Sequence, residues 1–82
     1  TQVPQGCEWF IRADAIKIAL DAGFDWIEFL HQRGSRVDGW TIDVSQPAQI
    51  ELAKVLVENG IDELTTDAPS RLASFLPVMS IV

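Results

Sequence analysis

The stretch that decides the fold runs from Val37 to Asp67. It opens with Val37-Asp38-Gly39-Trp40-Thr41-Ile42-Asp43, continues through a helical run, and closes with Ile61-Asp62-Glu63-Leu64-Thr65-Thr66-Asp67. The first seven residues carry branched side chains suited to a strand. Ser45 and Pro47 then mark a helix start, a capping hydroxyl followed by the residue tolerated in the first turn. Ile50, Ala53 and Val57, with Leu52 and Leu56 alongside, form a broad apolar stripe, and Glu51, Lys54 and Glu58 lie opposite. Asn59-Gly60 supplies a left-handed stop. Ile61 to Thr66 reads as a second short strand. Strands joined through a helix in this way run parallel with a right-handed crossover.

The whole chain is 82 residues, enough for one small domain with a modest core. Hydrophobic residues make up 48% of it, which argues against disorder. Three Trp and four Phe are a large apolar load for this length, and part of that load suits a partner surface. The formal net charge of -6 argues against nucleic acid and against anionic membrane surfaces, both of which call for clustered Lys and Arg. The acids are spread along the chain, as on a solvated surface. A lone cysteine, Cys7, excludes an internal disulfide or a thiolate metal cluster. No run approaches the roughly 20 apolar residues that span a bilayer. The apolar tail from Phe75 to Val82 is short and contains Pro77. No signal peptide is visible. The first residue is Thr rather than Met, as expected of a processed chain or a piece of something longer.

Outward from the central unit, Thr1 to Pro4 reads as the end of a strand and Gln5-Gly6 as a turn. Cys7 to Ile11 is apolar and aromatic without a clear period. Ala15, Ile16, Ala19 and Leu20 predict a helix from Ala13 to Ala22, with Asp14 as a candidate N-cap and Gly23 as its stop. A second helix is predicted from Asp25 to Arg33, with Asp25 as N-cap, Glu28 at capping-box spacing and Gly34 after it. His31, Arg33 and Arg36 place positive charge near its C-terminal end, where the dipole favours it. Pro69 opens a last helix, Ser70 to Leu76, which Pro77 ends. The final five residues carry no structural signal. The order is that of an α/β chain with about three parallel strands and covering helices. Parallel sheets are normally larger and covered on both faces, so residues 1–82 look like one partial domain, part of a barrel or of a doubly wound sheet.

Strand alternation puts Asp38, Trp40 and Ile42 on one face and Val37, Gly39 and Thr41 on the other. Trp40, near the C-terminal end of its strand, is either a pocket wall or an ordinary core tryptophan. Asp43 and Asp67 close their strands at the same end of the sheet, where helix caps are commoner than cation ligands. His31, the only histidine, shows no nucleophile or carboxylate at useful spacing and reads as a helix-end residue. One copy of the chain therefore cannot run two-histidine acid–base catalysis. Cys7 lacks an adjacent His or Lys and reads as an inert thiol. Ser70 and Ser74 do not sit in a nucleophile elbow. No phosphate loop, Rossmann glycine pattern or zinc spacing exists. Trp9, Phe10, Trp26 and Phe29 read as an exposed patch in an isolated piece, or as helix-to-strand packing in a whole barrel.

Three blocks of the sequence, in order, resemble the C-terminal part of glycerophosphodiester phosphodiesterases. Gln2-Val3-Pro4 is similar to the family's "QVP" at the end of its sixth strand. His31-Gln32-Arg33-Gly34, Val37 and Trp40-Thr41-Ile42-Asp43 resemble "H-x-R-G-x-x-V-x-V-W-T-V-N" of the seventh. Gly60-Ile61-Asp62, Thr66-Asp67 and Pro69 resemble "G-V-D-G-I-I-T-D-x-P" of the eighth. Asp43 stands where the family has Asn, Glu63-Leu64 replaces Gly-Ile, and Gly39 replaces an apolar β-former. The resemblance implies the C-terminal portion of a (β/α)8 TIM barrel. It implies hydrolysis of glycerophosphodiesters to glycerol 3-phosphate and an alcohol, by two histidines and a carboxylate-held Mg or Ca. The His-Arg, Glu-Asn and Glu-x-Asp motifs behind that chemistry have no counterpart in this sequence. By resemblance, then, Trp40 lines the pocket for the glycerol part of the substrate, and the chain contributes no catalytic and no metal-binding residue. Mg or Ca belongs to the complete family domain, and the rest of the barrel is the implied partner. The alternative is a small non-catalytic α/β module that binds a partner or self-associates through its aromatic surface and open sheet edge.

Overall fold

A computed structural model describes residues 7–76 and 80–82. The expected strand end at Thr1 to Pro4, the Gln5-Gly6 turn and the Pro77 stop lie outside the described residues. The elements are β1 (Glu8–Arg12), α1 (Ala13–Asp21), α2 (Trp26–His31), β2 (Arg36–Ile42), α3 (Pro47–Glu58), β3 (Glu63–Thr66), α4 (Pro69–Ala73) and β4 (Ser80–Ile81). The four strands form one sheet in the order β1-β2-β3-β4, parallel throughout. The fold is α/β, and the β2–α3–β3 unit is in place.

The register sorts the strand residues into two faces. Ile11, Gly39, Leu64 and Ile81 are partners across the sheet, and so are Phe10, Asp38, Glu63 and Ser80. Laterally paired residues of parallel strands point the same way, so the first row is apolar and the second mostly polar. The apolar row meets the helices. Val37, Leu64 and Ile42 join Ala13 and Ile16 of α1, Ile27 and Leu30 of α2, Ala53 and Leu56 of α3, and Leu72 of α4 in a single core. Consecutive parallel strands linked by right-handed crossovers put their helices on one side, and these do.

Gly39 shows how tightly that side is packed. A Cβ on it would lie 2.9 Å from Ile61 Cδ1 and 3.3 Å from Leu56 Cδ1. The glycine is therefore a matter of space: α3 and the turn after it press on the sheet where a larger side chain would stand.

Local signals placed the helices with some corrections. Asp25 caps α2 as expected, its carboxylate accepting the Glu28 N–H at 3.0 Å. Gly34 and Gly60 follow α2 and α3 with φ of 73° and 87°, a conformation in which a Cβ is strained. Asp14 is not the N-cap of α1. That position falls to Arg12, and the Asp14 carboxylate instead takes the Arg12 guanidinium. Ser45 does not cap α3 either. The N-cap is Gln46, without a side-chain bond, while the Ser45 hydroxyl donates to Asp43 at 2.6 Å. The last helix ends at Ala73, short of the expected Leu76.

Two strands carry no signal in the sequence. In β1, Trp9 and Phe10 are both exposed, so the period of two is lost on this edge strand. The other, β4, is two residues long. Alternation also fails beyond Trp40. The β2–β3 register shifts between Gly39 and Ile42, and Ile42 turns to the helix side with Val37 rather than to the side of Asp38 and Trp40. Thr41, grouped by alternation with Val37 and Gly39, is exposed while those two are buried.

Candidate functional site

The helix-free face of the sheet collects the side chains with chemical potential. Trp40 is 41% exposed and stands outside the core formed by the described residues. Its partner in the register is Arg12, and Phe10 beside Asp38 is 63% exposed. Aromatic rings left half in water on a sheet are fit for stacking and apolar contact.

Below Trp40 lies a group the sequence does not announce. Glu8 opens β1, Asp38 is the third residue of β2, and Glu63 opens β3. One carboxylate oxygen from each lies within 4.8 Å of the others. Asp38 is fully buried, and the Thr65 hydroxyl donates to both its oxygens, at 2.8 and 2.9 Å. Hydrogen bonding to Asp38 raises the pKa of Glu63 above the ordinary carboxylate value, with burial and the Asp38 charge adding to it. Hydrogen bonding to Glu63, then burial and the Glu63 charge, raises that of Glu8. Arg36 Nε, 3.8 Å from Glu8, offsets part of the crowding.

Three carboxylate oxygens are donors of the kind Mg or Ca accepts. Their place differs from the cation site that the resemblance implies. Glu8 and Glu63 begin their strands, whereas barrel active sites form at the strands' C-terminal ends.

At the C-terminal ends the polar groups hold loops. Asp43 accepts the Ser45 hydroxyl, the Ser45 N–H and the Gln46 side-chain amide, at 2.6, 3.0 and 3.1 Å. Chiefly the Ser45 hydroxyl, then the Ser45 N–H, lowers its pKa below the ordinary aspartate value. It shapes the β2–α3 loop rather than capping α3. The buried Thr66 hydroxyl donates to Ile42 O at 2.7 Å and accepts the Ala68 N–H at 3.2 Å, fastening β2 to β3 and setting the turn into α4. Asp67, beside it, is exposed.

His31 has the carboxylate partner its sequence neighbourhood lacks. Its Nε2 lies 2.6 Å from Asp62 Oδ2, which also accepts the Val37 N–H at 2.8 Å. Thirty-one positions separate the two residues, and only the fold brings them together. The bond ties the end of α2 to the starts of β2 and β3, at the end of the sheet opposite Trp40. Cys7 is exposed, as a thiol without a partner element would be. Phe24, Trp26 and Phe29 pack on one another with ring centroids 4.8 to 5.8 Å apart, and the Arg33 guanidinium stacks 3.7 Å from the centre of the Phe29 ring. The aromatic load of α2 is thus partly spent on itself.

Two hollows lie on the helix side. One, about 320 Å³, runs between α1 and α3 over Ile18, Leu52 and Val55. The other, about 610 Å³, is bounded by Glu28, His31, Glu58 and Gly60. Trp40 lines neither. No helix among the described residues is long and apolar enough to cross a membrane.

No protein-family model, no curated protein and no solved structure matches the chain.

Proposed function

We propose that the chain is the C-terminal portion of a glycerophosphodiester phosphodiesterase-type (β/α)8 barrel and supplies pocket wall rather than chemistry. The observation that carries this reading is Trp40. It stands half-exposed on the helix-free face, toward the C-terminal end of β2, within the block Trp40-Thr41-Ile42-Asp43 that resembles the family. A closed barrel puts its helices outside and its helix-free face inside, and its sites at that end of the strands. Sequential parallel strands covered on one side are compatible with such a slice. In this role Trp40 gives the glycerol part of a glycerophosphodiester an apolar wall. The rest of the barrel brings the histidines and the carboxylate-held Mg or Ca. The isolated chain, assayed with glycerophosphodiesters and Mg or Ca, releases no glycerol 3-phosphate. Metal-dependent turnover by the chain alone would sink the reading.

A second reading is favoured by a different observation. The outer edge of β3 is already paired with β4, and no buried side-chain polar atom among the described residues lacks a partner. A self-sufficient, non-catalytic α/β module that binds a partner through its aromatic surface would look the same. Sedimentation with thermal unfolding separates the two. A compact monomer that unfolds cooperatively favours the module. A chain that aggregates unless the missing strands are supplied favours the barrel piece.

A further inference from the structure

Glycine follows an acid or its amide at Asp38-Gly39 and at Asn59-Gly60, and Asn59 is the only asparagine of the chain. Such pairs share one reaction. The glycine nitrogen attacks the carbonyl carbon of the preceding side chain, and with no Cβ beside that nitrogen little hinders the approach. The fold treats the two pairs oppositely. Asp38 is fully buried and accepts the Thr65 hydroxyl, and Gly39 lies within β2 between Ile11 and Leu64, with Ile61 and Leu56 packed against it. Asn59 and Gly60 are exposed at the C-terminal end of α3. There the Gly60 N–H donates to Val57 O at 3.0 Å and the Asn59 side-chain amide to Val55 O at 2.8 Å, so attack requires both bonds to open. Both belong to the end of a helix, the part that frays at least cost. Gly60 has a φ of 87°, where any side chain is strained. The left-handed stop that ends α3 therefore imposes the pair most open to this chemistry.

We propose that Asn59 is a site of spontaneous deamidation, gated by fraying of the end of α3. The Gly60 nitrogen loses its proton to solvent and bonds to Asn59 Cγ. The Cγ–Nδ2 bond breaks, and Nδ2 takes up a proton and leaves as ammonia. Water then opens the cyclic imide at either carbonyl. One opening leaves aspartate; the other leaves isoaspartate, whose main chain runs through the former side chain and gains a methylene. Either carboxylate loses the donor to Val55 O. Either also puts negative charge beside Glu58 at the C-terminal end of a helix, where the dipole disfavours it. Isoaspartate in addition lengthens the backbone just ahead of Ile61 and Asp62. Ile61 packs over Gly39, and Asp62 holds both His31 and the Val37 N–H. The modification thus loosens the junction between α3 and β3.

Peptide-resolved mass spectrometry tests this on the full chain, held folded in warm, mildly alkaline buffer and sampled over time beside the same chain in guanidinium. The folded chain gains the mass of an amide-to-acid exchange at Asn59, several-fold more slowly than the denatured chain. An isoaspartate-specific methyl-transfer assay finds isoaspartate at position 59 of the folded chain and none at Asp38. In guanidinium both positions react. Asn59→Gln, which would have to close a larger ring, keeps its mass over the same period. The converted chain melts below the fresh one, and its isoaspartate form below its aspartate form. An Asn59 still intact in the folded chain once the denatured chain has converted overturns the proposal. Equal rates in the two conditions overturn the gating by α3, and isoaspartate at Asp38 of the folded chain overturns the contrast on which the argument stands.

Discussion

The two faces of this sheet are built from the same strands and obey different physics. On the helix side Val37, Leu64 and Ile42 are fully buried with Leu56, Ala53 and Ile16, and even a glycine is needed where α3 presses closest. On the other side Phe10 and Trp40 stand half in water around three crowded carboxylates, Glu8, Asp38 and Glu63. Stability resides on the first face, and what chemistry the molecule offers resides on the second. A face that crowds like charges and leaves aromatic rings wet is poor at holding a fold together and suited to meeting something else.

Substitutions across one strand sharpen the contrast most. Leu64→Ala, on the covered face, costs about 2–5 kcal/mol by denaturant unfolding. Its neighbour Thr65→Ala, which removes the hydroxyl donor to the buried Asp38, costs about 1–3 kcal/mol. Equal losses would mean that the two faces are not distinct. Next in size are two changes at particular contacts of the covered side. Gly39→Val restores a β-former and still destabilises by about 1–3 kcal/mol, because its side chain must displace Ile61 and Leu56. Asp62→Ala leaves the buried Val37 N–H without its acceptor and costs about 1–3 kcal/mol.

The open face responds in the other direction. Glu63→Gln puts a neutral amide, able to donate toward Asp38, where a carboxylate would add like charge, so it stabilises at neutral pH by about 0.2–1 kcal/mol, the size of a like-charge pair across strands. The pH dependence follows from the raised carboxyls. A carboxyl whose folded value lies above its unfolded one binds more protons in the fold. Its contribution is complete below the ordinary value and fades as pH rises through the raised one. The advantage of Glu63→Gln therefore grows from acid to neutral pH. Asp43 has the opposite sign: its lowered pKa makes a contribution that is present above the ordinary value and lost as pH falls. Asp43→Asn, the residue the resembling family carries, retains one acceptor for Ser45 and has the smallest effect of the set.

What the sequence made legible follows the range of the forces involved. The β2–α3–β3 unit, the first two helices, the Asp25 cap and the glycine stops are written in neighbouring residues, and they stand in the fold. Parallel strands joined by crossover helices followed from that unit, while a place in a barrel is a proposal that only the resemblance suggests. Whatever depends on partners far along the chain was hidden. Strand β1, at the edge of the sheet among the described residues, shows no alternation, and the described part of β4 is too short to have a period. Glu8, Asp38 and Glu63 are 30 and 25 positions apart and meet only through the register. His31 read as partnerless because its carboxylate, Asp62, belongs to another block. Ser45 looked like a helix cap because a hydroxyl two positions before Pro47 has that spacing; Asp43 competes for it and wins, with a 2.6 Å bond.

The account rests most on one face being sealed by helices while the other is open. Proton NMR with a soluble paramagnetic agent reads this in a single spectrum. The account predicts that the methyls of Val37, Leu64 and Leu56 keep their linewidths while the rings of Phe10 and Trp40 broaden. Methyls and rings broadened alike, or Phe10 and Trp40 as sheltered as Leu64, would contradict it.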